Sequence, residues 1–145
     1  MNNKKIIKFS IFTSIFLFID IISKYIFYNL KIASDLSRLS PSFNTGIARS
    51  LPVPMIITII ISIITLIAIV VMFYRGYLSL LITSLLVSWT IWNIVDRIFL
   101  GWVRDFLNIQ LFNFPIFNVA DILLNIGLGL FIIQTILAWK KEIKQ

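Results

Sequence analysis

Long apolar runs alternate with short polar segments along this chain, and four of the runs are long enough to cross a bilayer. A transmembrane helix needs about 20 consecutive, predominantly apolar residues. Windows of that length can be placed at about residues 6–27, 55–74, 77–98 and 119–139. The pattern predicts an all-α membrane protein, a four-transmembrane-helix bundle that forms a single domain over residues 1–145.

One short segment between the third and fourth runs has a different period. From Asp105 to Phe114, apolar side chains at alternate positions are separated by the polar residues Asn108 and Gln110. Alternation with a period of two is typical of a β-strand. We therefore expect a short strand here, lying at the membrane interface.

Composition supports the assignment to the membrane. Of the 145 residues, 59% are hydrophobic and only 13% are charged, and the mean hydropathy is +0.99. An ordinary water-soluble domain carries about 25% charged residues. The formal net charge of +7 is explained by basic segments at a membrane surface, so no nucleic-acid partner is needed.

The first apolar run has an alternative interpretation as a cleaved secretory signal, because Lys4, Lys5 and Lys8 precede it. No small-x-small cleavage site follows the run. Asp20 and Lys24 also interrupt the stretch where a signal sequence would be uniformly apolar. We therefore expect a membrane-spanning helix.

The distribution of basic residues favours an orientation with both termini in the cytoplasm. Cytoplasmic segments of membrane proteins carry an excess of Lys and Arg. That orientation places the cations of the two termini and Arg75 inside, directly at the ends of the spans. On the other side, Lys24, Arg97 and Arg104 each lie close in sequence to an aspartate that could neutralise them.

The absence of histidine and cysteine narrows the possible chemistry. It excludes a Ser-His-Asp triad, a thiolate nucleophile, a disulfide and a His or Cys zinc site. We expect no metal and no cofactor. Carboxylates placed in or beside apolar spans are costly and usually functional, and Asp20, Asp96, Asp105 and Asp121 are of this kind.

The sequence Asn-x-x-Asp occurs twice, as Asn93 to Asp96 at the end of the third run and as Asn118 to Asp121 at the start of the fourth. Both copies fall at the same membrane face as Asp105. Two aspartates in a low-dielectric pocket share a proton, so that one acts as a base on water while the other protonates the leaving group. The pair Asp105 and Asp121 is therefore our candidate for aspartic peptidase chemistry, without an assignment of acid and base.

Five blocks, in order, resemble the signature of lipoprotein signal peptidase, also called signal peptidase II. They are Asp20-Ile-Ile-Ser-Lys24, Asn44-Thr-Gly46-Ile-Ala48, Asn93-Ile-Val-Asp96-Arg97, Gly101-Trp-Val-Arg-Asp105-Phe106 and Phe114-Pro-Ile-Phe-Asn118-Val-Ala-Asp121. The blocks extend over about residues 20–121, and their order makes the resemblance more specific than any single block would.

The resemblance implies a bacterial inner-membrane aspartic endopeptidase with four helices and a small extracytoplasmic β-sheet. It implies cleavage of prolipoproteins just before a lipobox cysteine that carries diacylglycerol, near the extracytoplasmic face. It further implies binding of membrane lipids and of the cyclic-peptide inhibitors of this family. Asp105 and Asp121 match the catalytic pair; the polar supporting positions match Asp20, Asn44, Asn93, Asp96, Arg97 and Asn118.

The chain departs from the family pattern at four positions. Arg49 stands where an aromatic residue is usual, Trp92 where glycine is usual, and Ile122 where serine is common. Arg104 occupies a position that is usually apolar. We expect Trp92 to loosen the packing of the third helix, and the two arginines to meet substrate or acidic lipid.

Structural interpretations accompany these functional ones. Asp20 and Lys24 have the spacing of an ion pair within a helix, and Asp96 with Arg97 can serve positioning alone. Asn118 can be a helix cap and no more, and Asn44 can belong to a turn. Asp105 and Asp121 can be carboxylates solvated at the interface.

Two other functions remain open at this level: a small transporter or proton-relay bundle, and an inactive relative that binds without cleaving. A relay would carry acids near the middle of the bilayer, whereas Asp96, Asp105 and Asp121 fall at one face. A Ser-Lys peptidase using Ser23 and Lys24 is disfavoured, because adjacent residues of a helix do not face each other.

Overall fold

The computed structural model describes residues 3–32, 36, 38–46, 53–111 and 114–143. Within these ranges, four α-helices and two strands follow one another. They are α1 (Asn3–Ser23), β1 (Leu39–Asn44), α2 (Met55–Tyr74), α3 (Leu80–Leu100), β2 (Val103–Leu107) and α4 (Val119–Glu142). Helix α1 continues into one π-helical segment, Lys24–Asn29.

Among the described residues, three stretches of helix are long and apolar enough to cross a membrane: Asn3–Asn29, Met55–Tyr74 and Val119–Glu142. They correspond to the first, second and fourth predicted spans, and the bounds of the second were predicted to the residue. Helix α3 has 21 residues but carries Thr, Ser, Asn, Asp and Arg among its apolar side chains. The prediction of four spans is thus confirmed for three of them.

Helix α3 begins three residues later than the predicted start at residue 77. Gly76 has a φ of 82° and ends the turn after α2, a backbone conformation that glycine adopts without strain. Ser79 then caps α3, because its side chain accepts a hydrogen bond from the Ile82 N–H at 3.4 Å. The helix ends at Gly101, whose φ is 84°.

Helix α3 lies at the centre of the bundle and packs against α1, α2 and α4. An apolar core forms between α2 and α3, from Ile69, Leu78, Ile82, Leu86 and Val87. The polar side chains of α3 are buried with it, whereas α1, α2 and α4 expose many large apolar residues on their outer faces. Such outer faces suit contact with lipid.

Helix α1 is a full member of this bundle. It packs against α3, and it buries Thr13, Asp20 and Ser23. A cleaved signal would contribute nothing to the folded core, so this packing supports the interpretation of the first run as a spanning helix.

The two strands form an antiparallel sheet in which Ser42 pairs with Asp105 and Asn44 pairs with Val103. The prediction placed a strand at residues 105–114, whereas the observed strand β2 is shorter and begins earlier, at Val103. The strand cannot continue to residue 114 because the chain turns at Gln110, whose φ is 55°. The position of strand β1 was not predicted, although Leu39, Pro41 and Phe43 alternate with polar residues. Phe106 of β2 is fully buried and stacks on Phe27 at 5.4 Å between ring centroids.

Candidate active site

The predicted site residues meet at one end of the bundle, where α3 ends, α4 begins and the sheet lies against them. Asp20 comes from α1, Asn44 from β1, and Asp105 from β2. Helix α3 contributes Asn93, Asp96 and Arg97, and the start of α4 contributes Asn118 and Asp121. All eight predicted residues therefore lie in one region, although they come from five separate parts of the chain.

Asp105 and Asp121 line the same cavity, which has a volume of about 450 Å³. Asp105 is 1% exposed, and Asp121 is half-buried. The rest of the wall is mostly apolar and includes Ile109, Phe117 and Ile122. The two carboxylates thus lie in the wall of a mostly apolar pocket.

Asn118 connects the two carboxylates. Its side-chain amide donates a 2.7 Å hydrogen bond to Oδ1 of Asp105. Its backbone N–H donates to Oδ2 of Asp121 at 3.1 Å, while its side-chain oxygen accepts from the Asp121 N–H at 3.1 Å. This reciprocal pair is a capping box that starts α4. The helix-cap interpretation of Asn118 is confirmed but incomplete, because the same residue positions both aspartates.

Trp89 is a second partner of Asp121, and the sequence analysis missed it. Its indole Nε1–H donates to Oδ1 of Asp121 at 3.1 Å. Trp89 lies four residues before Asn93 and thus on the same face of α3. That spacing is the signal that could have identified it.

Burial raises the pKa of Asp105 to about 7, from an ordinary value of 3.8. The negative charge of Asp121 acts in the same direction, whereas hydrogen bonds from the Asn118 and Asn44 side chains and the charge of Lys24 lower the pKa. Asp105 can consequently hold a proton near neutral pH, as one member of a proton-sharing pair must.

Beside this pair lies a cluster of buried charges that we call the Lys24 cluster: Asp20, Lys24, Asp96 and Arg104. The Lys24 ammonium is fully buried and contacts Asp20 Oδ2 at 2.9 Å and Asp96 Oδ2 at 3.2 Å. The ion-pair interpretation of Asp20 and Lys24 is therefore confirmed. Asp20 also accepts the backbone N–H of Ala120 at 2.8 Å, so it holds the first turn of α4.

Arg104 belongs to the Lys24 cluster, contrary to the expectation that it meets substrate or acidic lipid. Its guanidinium contacts Asp96 Oδ1 at 2.7 Å, and its backbone N–H donates to Asp96 Oδ2 at 3.1 Å. Its side chain is 12% exposed and also donates to Asn29 at 3.1 Å. The buried carboxylate of Asp96 explains why a charged side chain is accommodated at this position. Arg49, the other unusual arginine, lies outside the described residues.

Arg97 forms its hydrogen bonds with backbone oxygens rather than with its neighbour Asp96. Its guanidinium donates to the backbone oxygens of Asn93 at 3.1 Å and Gly46 at 3.3 Å. Arg97 thus ties α3 to the segment that follows β1. Positioning, rather than neutralisation of an aspartate, is the role its contacts support.

Asn93 and Asn44 connect the surrounding polar residues to the carboxylate pair. The side-chain oxygen of Asn93 accepts from Lys24 at 3.2 Å and from Asn118 at 3.3 Å. Asn44 forms the expected turn by accepting the Gly46 N–H at 3.1 Å, and its side chain also hydrogen-bonds to Asp105. Each asparagine therefore has both a structural contact and a contact toward the site.

A second, smaller cavity of about 110 Å³ lies on the other side of Asp121, between α2 and α3. Its wall includes Thr58, Ser62, Thr65, Trp89 and Arg97. Throughout the part of the chain that the structure describes, no group of three or more acidic side chains is placed to hold a metal ion.

Comparisons with known proteins identify the family and the fold of the chain. The family model described as signal peptidase (SPase) II matches residues 12–137. A lipoprotein signal peptidase of Acaryochloris marina (strain MBIC 11017) is 56% identical over 43 residues, which cover 30% of this chain and 26% of that protein. A lipoprotein signal peptidase of Brevibacillus brevis (strain 47 / JCM 6285 / NBRC 100599) is 41% identical over 59 residues, covering 41% of this chain and 40% of that protein. These matches span less than half the length of either curated relative.

Two solved structures, both described as bacterial membrane enzymes, have the same fold. The first, at 2.3 Å resolution, has a TM-score of 0.69 and 31% sequence identity; the match covers 90% of this chain and 87% of that one. The second, at 1.9 Å resolution, has a TM-score of 0.68 and 29% sequence identity; the match covers 88% of this chain and 91% of that one. The resemblance drawn from the five sequence blocks is confirmed. Because the family model covers most of the sequence, this chain belongs to the signal peptidase II family.

Proposed function

We propose that this protein is a membrane aspartic endopeptidase that removes signal peptides from prolipoproteins. In this proposal, cleavage falls just before the lipobox cysteine that carries diacylglycerol, and Asp105 and Asp121 are the catalytic residues. Family membership supports the reaction class. The contacts of the two aspartates support the assignment of the catalytic pair.

The observation that carries the proposal is the bridge that Asn118 makes between two carboxylates in one pocket. The side-chain amide of Asn118 holds Asp105, and its backbone N–H holds Asp121. Both partners are uncharged donors, so neither carboxylate is locked in its ionised form by a contacting cation. Burial and mutual repulsion then favour one shared proton between the two.

The reaction needs one ionised and one protonated carboxylate. A water molecule between them loses a proton to the ionised carboxylate as its oxygen bonds to the scissile carbonyl carbon. The carbon–nitrogen bond then breaks, and the protonated carboxylate gives its proton to the departing amine. The products are a new carboxyl group and a new amino terminus, and the pair holds one proton again.

The apolar wall of the larger cavity suits a lipid-modified substrate. Ile109, Phe114, Ile116, Ile122 and Ile126 surround the carboxylates with hydrocarbon. A substrate anchored by two acyl chains presents its scissile bond at a fixed depth, which reduces the entropy lost on binding. Membrane lipids are therefore part of the proposed site, and the cyclic-peptide inhibitors of the family would occupy the same pocket.

We propose that the remaining predicted residues position the pair without touching the reacting atoms. Asp20 holds the start of α4, and Asp96 holds β2 through Arg104. Asn93 and Asn44 orient Asn118 and Asp105, while Arg97 fixes the segment after β1.

We further propose that α3 is a fourth transmembrane span, shielded from lipid by the three helices around it. Its polar side chains are buried against neighbouring elements, so they need no apolar surroundings of their own. With both termini in the cytoplasm of a bacterial inner membrane, the carboxylate pair lies near the extracytoplasmic face. Reporter fusions after residue 76 and at the carboxyl terminus test this topology, since cytoplasmic signals at both points are expected.

The experiment that tests the activity is cleavage of a diacylglyceryl-modified prolipoprotein by the purified protein, followed as a shift on a gel. Wild type is expected to cleave before the cysteine, and Asp105→Asn and Asp121→Asn to remain intact bundles without activity. Glu142→Gln is the matched control, because this acid lies at the exposed far end of α4. Loss of cleavage on adding a cyclic-peptide inhibitor of the family would support the shared pocket.

The same experiment separates the peptidase from the transporter alternative. A proton relay needs acids through the depth of the bundle, whereas Asp20, Asp96, Asp105 and Asp121 share one end of it. A folded wild type that never cleaves the lipid-modified substrate would overturn the peptidase proposal. Cleavage by either aspartate variant would remove that aspartate from the mechanism.

A further inference from the structure

The smaller cavity beside Asp121 has a lining unlike that of the larger one, and we call it the hydroxyl crevice. It is bounded by the side chains of Thr58, Ser62 and Thr65 on α2 and of Thr90 and Arg97 on α3. The two cavities share only Asn44 and Asp121 among their wall residues. Asp105 borders the larger cavity alone, so Asp121 stands between the two spaces.

The hydroxyl groups of the crevice are arranged as acceptors. Thr58 donates its own proton to the Met55 carbonyl at 2.7 Å, and Ser62 donates to the Thr58 carbonyl at 2.8 Å. Thr65 and Thr90 bond in the same way to the carbonyls of Ile61 and Leu86. Each oxygen therefore keeps a lone pair for a further donor, and the spacing of Thr58, Ser62 and Thr65 places them on one face of α2.

The size and polarity of the crevice fit water. Helix α2 is otherwise almost entirely apolar, so several polar side chains on one inward face are a departure from its pattern. A volume of about 110 Å³ exceeds the roughly 10–15 Å³ that a cavity needs to hold one water molecule, so the crevice has room for water. Buried waters need two to four polar partners each, and the hydroxyls supply acceptors while Arg97 supplies donors.

We propose that the hydroxyl crevice binds water and supplies the hydrolytic water molecule to the Asp121 side of the carboxylate pair. This inference rests on the proposed peptidase activity and deepens it. The lipid-modified peptide occupies the larger, apolar cavity, and water reaches the scissile bond from the opposite side. Substrate binding then does not have to leave a water path open through its own pocket.

This arrangement assigns roles to the two aspartates. Asp121 lines the hydroxyl crevice, whereas Asp105 borders only the larger cavity, so Asp121 is the carboxylate that meets the incoming water. Water arriving from the crevice gives its proton to Asp121 as its oxygen bonds to the carbonyl carbon. Asp105 gives its proton to the amine as the carbon–nitrogen bond breaks, and the proton on Asp121 then returns to Asp105.

Hydration of the crevice can be measured without any substrate, because the chain contains no cysteine. In a Ser62→Cys variant held in a lipid nanodisc, the S–H stretching band follows exchange to S–D after transfer into heavy water. Ile64→Cys is the matched control: it lies half a turn away on the same helix, and Ile64 is 60% exposed on an outer apolar face. Exchange at least about tenfold faster at position 62 is expected; equal or slower exchange would overturn the proposal.

Activity measurements then show whether the crevice is occupied by water or by a side chain of the substrate. Ser62→Leu fills the crevice, and Thr65→Val removes an acceptor at nearly constant volume. Both are expected to lower kcat, by about tenfold for Ser62→Leu, which corresponds to about 1.4 kcal/mol, with KM changed less than twofold. Thr135→Val is the control, since its hydroxyl bonds to the Phe131 carbonyl in the same way but lies outside the crevice.

The outcomes are distinguishable from failure of the peptidase proposal itself. A raised KM with unchanged kcat would mean that substrate enters the crevice, which contradicts the water assignment. Unchanged kinetics in both variants would also overturn it. If wild type never cleaves, the peptidase proposal fails, while the exchange measurement still decides whether the crevice is hydrated.

Discussion

The Lys24 cluster and the pair Asp105 and Asp121 both contain aspartates at the same end of the bundle, but the groups that contact the carboxylates differ. Asp20 and Asp96 are 0% and 1% exposed and contact the cations Lys24 and Arg104. Asp105 is buried to the same degree. It and Asp121 are held by the amide of Asn118, the indole of Trp89 and a backbone N–H.

This difference in contacting groups separates carboxylates with a structural role from carboxylates suited to proton transfer. A buried carboxylate in contact with a cation stays ionised and contributes geometry. A buried carboxylate held by neutral donors can gain or lose a proton within the accessible pH range. Burial alone would have ranked Asp20, Asp96 and Asp105 together, and the charge of the contacting donor is what distinguishes Asp105 from the other two.

The largest expected effect is on catalysis by the carboxylate pair. Asp105→Asn or Asp121→Asn leaves one carboxylate that cannot share a proton, so cleavage should fall at least about a thousandfold. Both variants should remain folded. Asparagine at position 105 keeps an oxygen that can accept from Asn118, whereas at position 121, where both oxygens accept N–H donors, one of the two hydrogen bonds is lost. Cleavage rate and thermal unfolding, measured on the same preparations, check this pair of outcomes.

In the Lys24 cluster, a substitution is expected to reduce the stability of the protein before it affects catalysis. Lys24→Met leaves Asp20 buried without its cation, and breaking a buried ion pair from one side costs about 3–5 kcal/mol. The melting temperature should therefore drop sharply. Adding Asp20→Asn to Lys24→Met should recover part of the loss, because the unpaired charge is then removed. A double variant no more stable than Lys24→Met would contradict the assigned ion pair.

The pH dependence sharpens the comparison further. Asp105 has a pKa raised to about 7 in the folded protein, against an ordinary 3.8. Above about 7 the shared proton is lost, and kcat/KM should fall by about tenfold per pH unit. A profile that stays flat from pH 7 to 9 would contradict a proton held by the pair.

The same shift affects stability with a definite sign. Between the two pKa values the folded state binds more protons than the unfolded state, so the contribution of Asp105 to stability decreases as pH rises from about 4 to 7. Asp105→Asn removes this dependence. As the pH rises from about 4 to 7, the melting temperature of Asp105→Asn should therefore increase relative to that of wild type.

The smallest expected effect concerns the indole contact. Trp89→Phe keeps the ring but removes the Nε1–H that donates to Asp121 at 3.1 Å. A hydrogen bond to a charged group contributes about 1.5–3 kcal/mol, so a loss of about tenfold or more in kcat/KM is expected. Trp139→Phe is the control on the exposed face of α4. Equal activity in the two variants would remove Trp89 from the site.

The sequence predicted the spans well because hydropathy is a local property. The second span was located to the residue, and the first and fourth within a few residues of their ends. Helix α3 was placed three residues too early, since a capping serine and a left-handed glycine override the apolar pattern. Strand β1 escaped prediction, because its pairing with β2 depends on residues about 60 positions later.

The sequence predicted which eight residues belong to the candidate site but not the contacts among them. The structure places all eight at one end of the bundle. The partnership of Arg104 with Asp96 and of Trp89 with Asp121 joins elements whose relative placement the sequence does not state. For the same reason, Arg104 was assigned to substrate or lipid instead of to a buried carboxylate.

The contact between Asp20 and Ala120 joins the first helix of the chain to the last, across 100 residues. During synthesis, the first three helices exist in the membrane before α4 is made, and at that stage neither Asn118 nor Asp121 is present. The proposed catalytic pair is therefore completed only when α4 docks against α1, so assembly of the site coincides with assembly of the bundle.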